Sequence, residues 1–336
     1  MNTSQPDVAA DLDEGQRPPS HARQVMSRLS TGTAGPFVGL IALCVALFIA
    51  SPYFLTVNNL LNILDQVTIL GILALGMTFV IITGGIDLSV GAVLALSIMV
   101  LGWTSHNGGW PLGLSIVAAI LVGGLAGLVN GLGITLAKLP PFIATLAMLS
   151  VARGLANVIT DGQQIVGYPE WFTNLSSQRY FGFLTITALV LIILLLLGWA
   201  FLRYRPGGRA LYAIGGSREV ARLAGIRVKR ATAGVYVVTG LLAGLAGVVL
   251  ASRLDSSQPS AAVGIELDTI AAVVIGGASL SGGVGRIPGT VVGVLIIGVL
   301  RNGLNLLSVS PFVQQIVIGV VIALAVMVDV LRRDES

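Results

Sequence analysis

Apolar residues fill ten stretches of this chain, and polar residues gather between them. Crossing a bilayer as a helix takes about 20 mostly apolar residues. Six stretches come near that length without a charge: Phe37–Leu55, Gln66–Ile86, Leu112–Ala137, Gly182–Leu202, Ala231–Ala251 and Pro311–Val328. Three more carry charge. Pro141–Ile159 contains Arg153, Ile265–Ser281 opens with Glu266 and Asp268, and Ile287–Leu307 contains Arg301. A short one, Leu88–Trp103, begins just after a Gly-Gly break. The pattern predicts an all-α integral membrane protein of about ten transmembrane helices.

One interruption stands out. In "IITGGIDLSVGA", residues 81–92, Asp87 lies between two apolar stretches, beside the helix-breaking pair Gly84-Gly85. A carboxylate in a bilayer core costs about 2.5–3.5 kcal/mol on insertion scales, so Asp87 needs a role. At the start of the third span, its carboxylate or the Ser89 hydroxyl can accept from unpaired helix amides. That makes Asp87 a cap and hinge. A gate lining a solute path near its inner end is compatible with the same position. A second stretch, "VVIGGASLSGGVGRIPG", echoes "VIITGGIDLSVGAVLAL", and the echo predicts an internal repeat with broken helices.

Composition narrows the class. The 336 residues are 55% hydrophobic and 10% charged, with 43 glycines; a soluble domain is nearer one quarter charged. The single cysteine, Cys44, cannot form an internal disulfide. His21 and His106 are far apart, and no metal-ligand spacing occurs. Residues 1–36, with Pro18-Pro19 and mixed charge, read as a disordered cytoplasmic tail; they lack the pattern of a secretory signal. The membrane domain is 37–330, and 331–336 is a short cytoplasmic tail. With the N-terminus inside and ten spans, 15 of the 19 cations fall inside and three outside, Arg153 remaining within a span. That bias orients both termini to the cytoplasm.

Eight inside cations lie in one segment, 203–230, "RYRPGGRALYAIGGSREVARLAGIRVKR". Pro206-Gly207-Gly208 and Gly215-Gly216 read as breaks. Ser217 suits a helix cap, Glu219 suits the positive end of the helix, and Gly225 ends it. Val220, Leu223, Ala224 and Ile226 give the helix an apolar side. On composition alone, an interfacial anchor lying on lipid fits equally well.

Three blocks, "GMTFVIITGGIDLSVGAVLAL" (Gly76–Leu96), "GGRALYAIGGSREVARLAGIRV" (Gly207–Val228) and "IGGASLSGGVGRIPGTVVGVLIIGVLRNGLNLL" (Ile275–Leu307), occur in order. Together they resemble the membrane permease subunit of bacterial ribose-type ABC importers, over roughly 37–330. Branched-chain amino-acid permeases are more distant relatives of that family. The resemblance implies an ABC importer permease fold in the bacterial inner membrane, a homodimer of two copies, a cytoplasmic ABC ATPase, a periplasmic or lipid-anchored sugar-binding protein, and a monosaccharide substrate. It also implies that the basic segment couples to the ATPase through Arg209, Tyr212, Ser217, Glu219, Val220, Ala221, Arg222, Leu223 and Gly225. Glu219, Ala221 and Gly225 match the family's Glu-Ala-Ala-x-x-x-Gly pattern, while Val220 replaces its middle alanine.

No GxxxxGK[ST] phosphate loop occurs, so the chain is expected to be a transport subunit rather than an enzyme, with no cofactor, no metal and no nucleic-acid partner. Residues chemically fit for a sugar path, or for hydrogen bonds between helices, are Thr83, Gly84, Gly85, Asp87, Ser89, Asn130, Asn157, Asn302 and Asn305. Arg153 needs a partner or water. A branched-chain amino-acid, nucleoside or signalling-furanoside permease is the alternative within this class. An ion-coupled secondary transporter is the alternative outside it. Such a transporter is expected to hold carboxylates in mid-span, and Asp65, Asp87, Glu266 and Asp268 all fall at span edges.

Overall fold

A computed structural model describes residues 34–334. The bulk of the expected tail, 1–33, lies outside them. Helix α1 (Ala34–Ala50) is followed by α2 (Val57–Ile82), α3 (Val90–His106), α4 (Leu112–Thr135) and α5 (Pro141–Val158). Then come α6 (Glu170–Ser177), α7 (Ile186–Tyr204), α8 (Pro206–Gly216), α9 (Arg218–Leu223) and α10 (Val228–Leu254). The last three are α11 (Ile265–Ile275), α12 (Ile287–Leu306) and α13 (Pro311–Asp334). Two-residue strands β1 (Ile165–Val166) and β2 (Ser256–Ser257) pair antiparallel.

Each of the ten predicted stretches contains a helix, with shifts at the ends. Among the described residues, six helices, α2, α4, α5, α7, α10 and α12, are long and apolar enough to cross a membrane. The stretch 265–281 is not one continuous helix. Only the 11 residues of α11 are helical, about 16 Å of rise, roughly half of a 30 Å hydrocarbon core. The Gly276-Gly277 pair stops it: Gly276 is the cap residue and Gly277 takes positive φ, where other residues are strained; Gly282 and Gly283, also at positive φ, shape the turn that follows. At the termini, α1 takes in residues 34–36 of the expected tail, and α13 runs through 331–334.

The helix α2 is the axis of the fold. Ile72, Met77, Val80, Ile81 and Ile82 are fully buried, and α7, α8, α10, α11 and α12 pack around it or its ends. Lipid tails are as apolar as leucine, so burial of apolar surface does not drive such packing; close contact and interhelical hydrogen bonds do. The α4–α10 pair illustrates this. A methyl at Gly127 would strike the Tyr236 carbonyl, and one at Gly244 would come within 2.8 Å of the Ile120 Cα. The glycines at 123, 127, 131, 240 and 244 let the two backbones touch.

The basic segment 203–230 folds as two helices. Pro206-Gly207-Gly208 opens α8 instead of breaking the chain, because proline at the first helical position lacks only an N–H that would be unpaired there. The boundaries fall at Arg205 and Ser217, both extended. At the opposite end of the bundle, α6, β1 and β2 form a small cover. Tyr168 Oη pairs with Ser257 Oγ at 2.6 Å, and Ser257 Oγ donates to the Ile98 carbonyl at 2.7 Å. Burial pushes the Tyr168 phenol up to about 12.

Candidate functional site

The turn between α2 and α3 is a chain of buried hydrogen bonds. The Asp87 carboxylate accepts from the Ser89 amide at 2.9 Å and from the Ser89 hydroxyl at 2.6 Å. Asn130 Nδ2, on α4, donates to Ser89 Oγ at 2.9 Å. Thr145, on α5, donates to the Ile86 carbonyl at 3.2 Å. Asp87 is 2% exposed. Its amide contact lies before the helix: α3 begins at Val90, and no side chain caps it. Asp87 therefore fixes the turn that delivers the chain into α3, and does not cap the first turn itself. Tyr236, on α10, stands over the same turn. Its buried hydroxyl has no hydrogen-bond partner among the described residues, and a methyl at Gly85 would meet it at 2.5 Å.

The second glycine turn, between α11 and α12, lies against the first. Gly283 N donates to the Ile82 carbonyl at 2.9 Å. A methyl at Gly282 would come within 2.9 Å of the Gly84 Cα. Thr83 hydrogen-bonds within its own turn, to the Val80 carbonyl. The third partner is α8. A methyl at Gly215 would collide with both the Ile82 carbonyl and the Gly283 amide. Tyr212 Oη donates to the Gly285 carbonyl at 2.8 Å. Burial raises the Tyr212 phenol above its ordinary value, with the Arg286 guanidinium acting the other way. The three blocks picked out in the sequence thus meet backbone to backbone.

From this junction the chain enters α9. Ser217 Oγ accepts from the Val220 amide at 3.3 Å, and Gly225, at φ 81°, follows the helix end. Val220 and Leu223 are 64% and 77% exposed. Glu219 and Arg222 form a loose, exposed pair at 4.0 Å, and Arg209 is exposed. Ala221 differs from its neighbours at 1% exposure. It faces the rest of the chain, so the surface available to a partner is Val220 and Leu223, not Ala221.

The remaining polar residues do not join this site. Asn302 and Asn59 exchange two amide hydrogen bonds, at 2.9 and 2.8 Å, between α12 and α2. Asn305 accepts from Gln314 at 2.7 Å. Asn157 is exposed and donates to the Arg153 carbonyl. Arg153 finds its partners in the Pro259 and Ala261 carbonyls, both at 2.8 Å. Arg301 pairs with Asp268 at 2.5 Å. Sequence reasoning missed Tyr236, Gly215 as a contact, and the meeting of the two Gly-Gly turns. The Gly-Gly and Leu-Ser echo was the available signal for the last of these.

Comparison with known proteins adds identity to this geometry. The family model described as "branched-chain amino acid transport system / permease component" matches residues 59–326. The ribose import permease protein of Bacillus subtilis is 48% identical over 310 residues, covering 92% of this chain and 94% of the relative. That of Escherichia coli K12 is 44% identical over 299 residues, 86% of this chain and 92% of the relative. The D-allose transport system permease protein of the same organism is 40% identical over 292 residues, 86% and 89%. No solved structure matches the chain significantly.

Proposed function

Since this chain belongs to the family of branched-chain amino acid transport system permease components, we propose that it is the membrane permease of an ABC importer that passes a monosaccharide, ribose or a similar sugar, across the bacterial inner membrane. The observation that carries the sugar is the 48% identity to a ribose import permease over nearly the whole chain. Fructose and L-arabinose permeases also match, at 35% and 36%. The chain is a transport subunit, not an enzyme; ATP is hydrolysed by a cytoplasmic partner ATPase, and a periplasmic binding protein delivers the sugar. Two copies of the chain form the path. Each crosses the membrane with both termini in the cytoplasm, the eight-cation segment 203–230 facing the ATPase.

Coupling follows from the contacts. The exposed Val220 and Leu223 of α9 dock in a groove of the ATPase, with Glu219 and Arg222 at the rim. Movement there is transmitted to α8, whose Gly215 and Tyr212 hold both glycine turns. Those turns set the inner ends of α2, α3, α11 and α12, where the buried Asp87, Ser89 and Asn130 hold the chain in place beside the gate.

Reconstitution tests the reading. Vesicles holding this chain, its ATPase and its binding protein should take up labelled ribose only with internal ATP, and an ionophore should leave the rate unchanged. Uptake of leucine in place of ribose would favour the amino-acid alternative. Uptake without ATP that collapses with the ion gradient would favour a secondary transporter.

A further inference from the structure

A cavity of about 470 Å³ opens where α7 ends and α12 begins, outside the glycine junction. Its walls include Trp199, Arg203, Tyr212, Arg286 and Pro288. Both arginines are exposed, and neither pairs with a carboxylate among the described residues. Arg203 is nonetheless held. Its guanidinium lies 5.9 Å from the Trp199 ring centroid and 5.8 Å from that of Tyr204, and these two rings meet edge-on at 5.6 Å. Tyr212 is fixed beside Arg286 through its bond to the Gly285 carbonyl. At the cavity's edge α12 begins without a side-chain cap, so the positive end of its dipole adds to the field of both arginines.

The flank of α7 leading to this cavity is apolar and uncovered. Leu189, Ile192, Ile193, Leu196 and Leu197 are 43–61% exposed, at the three- and four-residue spacing of one helix face. A cationic cavity at the helix end and an apolar stripe running from it match the two halves of one amphiphile. We propose that the α7–α8–α12 cavity binds an acidic phospholipid, its phosphate between Arg203 and Arg286 and its acyl chains along α7. Basic pockets between membrane helices on the cytoplasmic side suit such headgroups. A soluble phosphate ester shares the headgroup chemistry but leaves the stripe uncovered. The inference rests on the orientation proposed above, with Arg203 at the cytoplasmic leaflet.

Native mass spectrometry of the delipidated permease, titrated with phosphatidylglycerol, phosphatidylcholine or glycerol 3-phosphate, tests it. One phosphatidylglycerol per chain should be retained in preference to phosphatidylcholine. Arg203→Gln with Arg286→Gln should weaken retention about thirtyfold, while Arg209→Gln with Arg222→Gln, outside the cavity, should retain lipid as the parent does. Equal retention of the two lipids by the parent overturns the inference whether or not the variants fold. So does undiminished retention by a folded Arg203→Gln, Arg286→Gln protein. Displacement of the lipid by equimolar glycerol 3-phosphate makes the site one for soluble anions and overturns the lipid assignment. Ribose uptake, measured in parallel, separates the two readings: uptake without selective lipid retention removes this inference and leaves transport standing.

Discussion

Two glycines one residue apart have opposite surroundings. A methyl at Gly215 meets the Ile82 carbonyl and the Gly283 amide, whereas nothing lies within 4 Å of a methyl at Gly216. Overpacking against backbone costs about 1–3 kcal/mol. Gly215→Ala should therefore lower the melting temperature in detergent and cut uptake sharply, and Gly216→Ala should leave both near the parental values. Equal behaviour of the two variants would remove the junction from the mechanism. Asp87 makes a second residue-scale case. An asparagine oxygen can still accept from the Ser89 amide, so Asp87→Asn should retain much of the transport. Asp87→Leu strands a buried amide and hydroxyl, at about 1–3 kcal/mol for each unsatisfied group, and should fail to accumulate in the membrane. Normal expression of Asp87→Leu without uptake would favour the gate over the turn-fixing role. The measurement is membrane yield alongside ribose uptake.

For single elements, α9 separates folding from coupling within six residues. Ala221 is buried in the chain's own body, while Val220 and Leu223 are open. An aspartate at Ala221 buries an unpaired charge, which the fold does not accommodate without several kcal/mol of loss. Ala221→Asp should thus reduce the yield of folded permease itself. Leu223→Asp places its charge at the surface; the permease should fold and melt as the parent does, yet lose co-purification with the ATPase and uptake together. Undisturbed co-purification of Leu223→Asp would return α9 to the role of a helix lying on lipid. The α11 helix teaches a different lesson. Its stretch reads as a span from hydropathy, but hydropathy does not register that Gly276 and the positive-φ Gly277 end the helix.

On the scale of the whole molecule, orientation is the property to measure. In a Cys44→Ala background, a cysteine at Ser217 should react with an impermeant thiol reagent only from the cytoplasm. One at Ser177, exposed on α6 at the opposite end, should react only from outside. Reversed labelling at either position would overturn the proposed topology. The same reagent pair orients the lipid cavity, which shares the end of the bundle that carries the eight-cation segment.

The sequence by itself determined the class: long apolar stretches with few charges can be satisfied only in a bilayer, and only as helices there. It also determined the family, because "TGGIDLS", "AIGGSREVARLAG" and "GGASLSGGVGRIPG" stand in order. The cap at Ser217 and the stop at Gly225 were legible for the same local reason: capping depends on residues within a few positions. The tertiary structure alone decided what faces what. Whether Ala221 or Leu223 is covered depends on helices far away in sequence. The pairing of Asn59 with Asn302, and of Arg153 with the Pro259 and Ala261 carbonyls, spans more than a hundred residues. The meeting of Ile82, Gly215 and Gly283 is a contact of backbones. It requires the absence of side chains at 215 and 283, and an absence carries no periodicity by which a sequence could announce its partner.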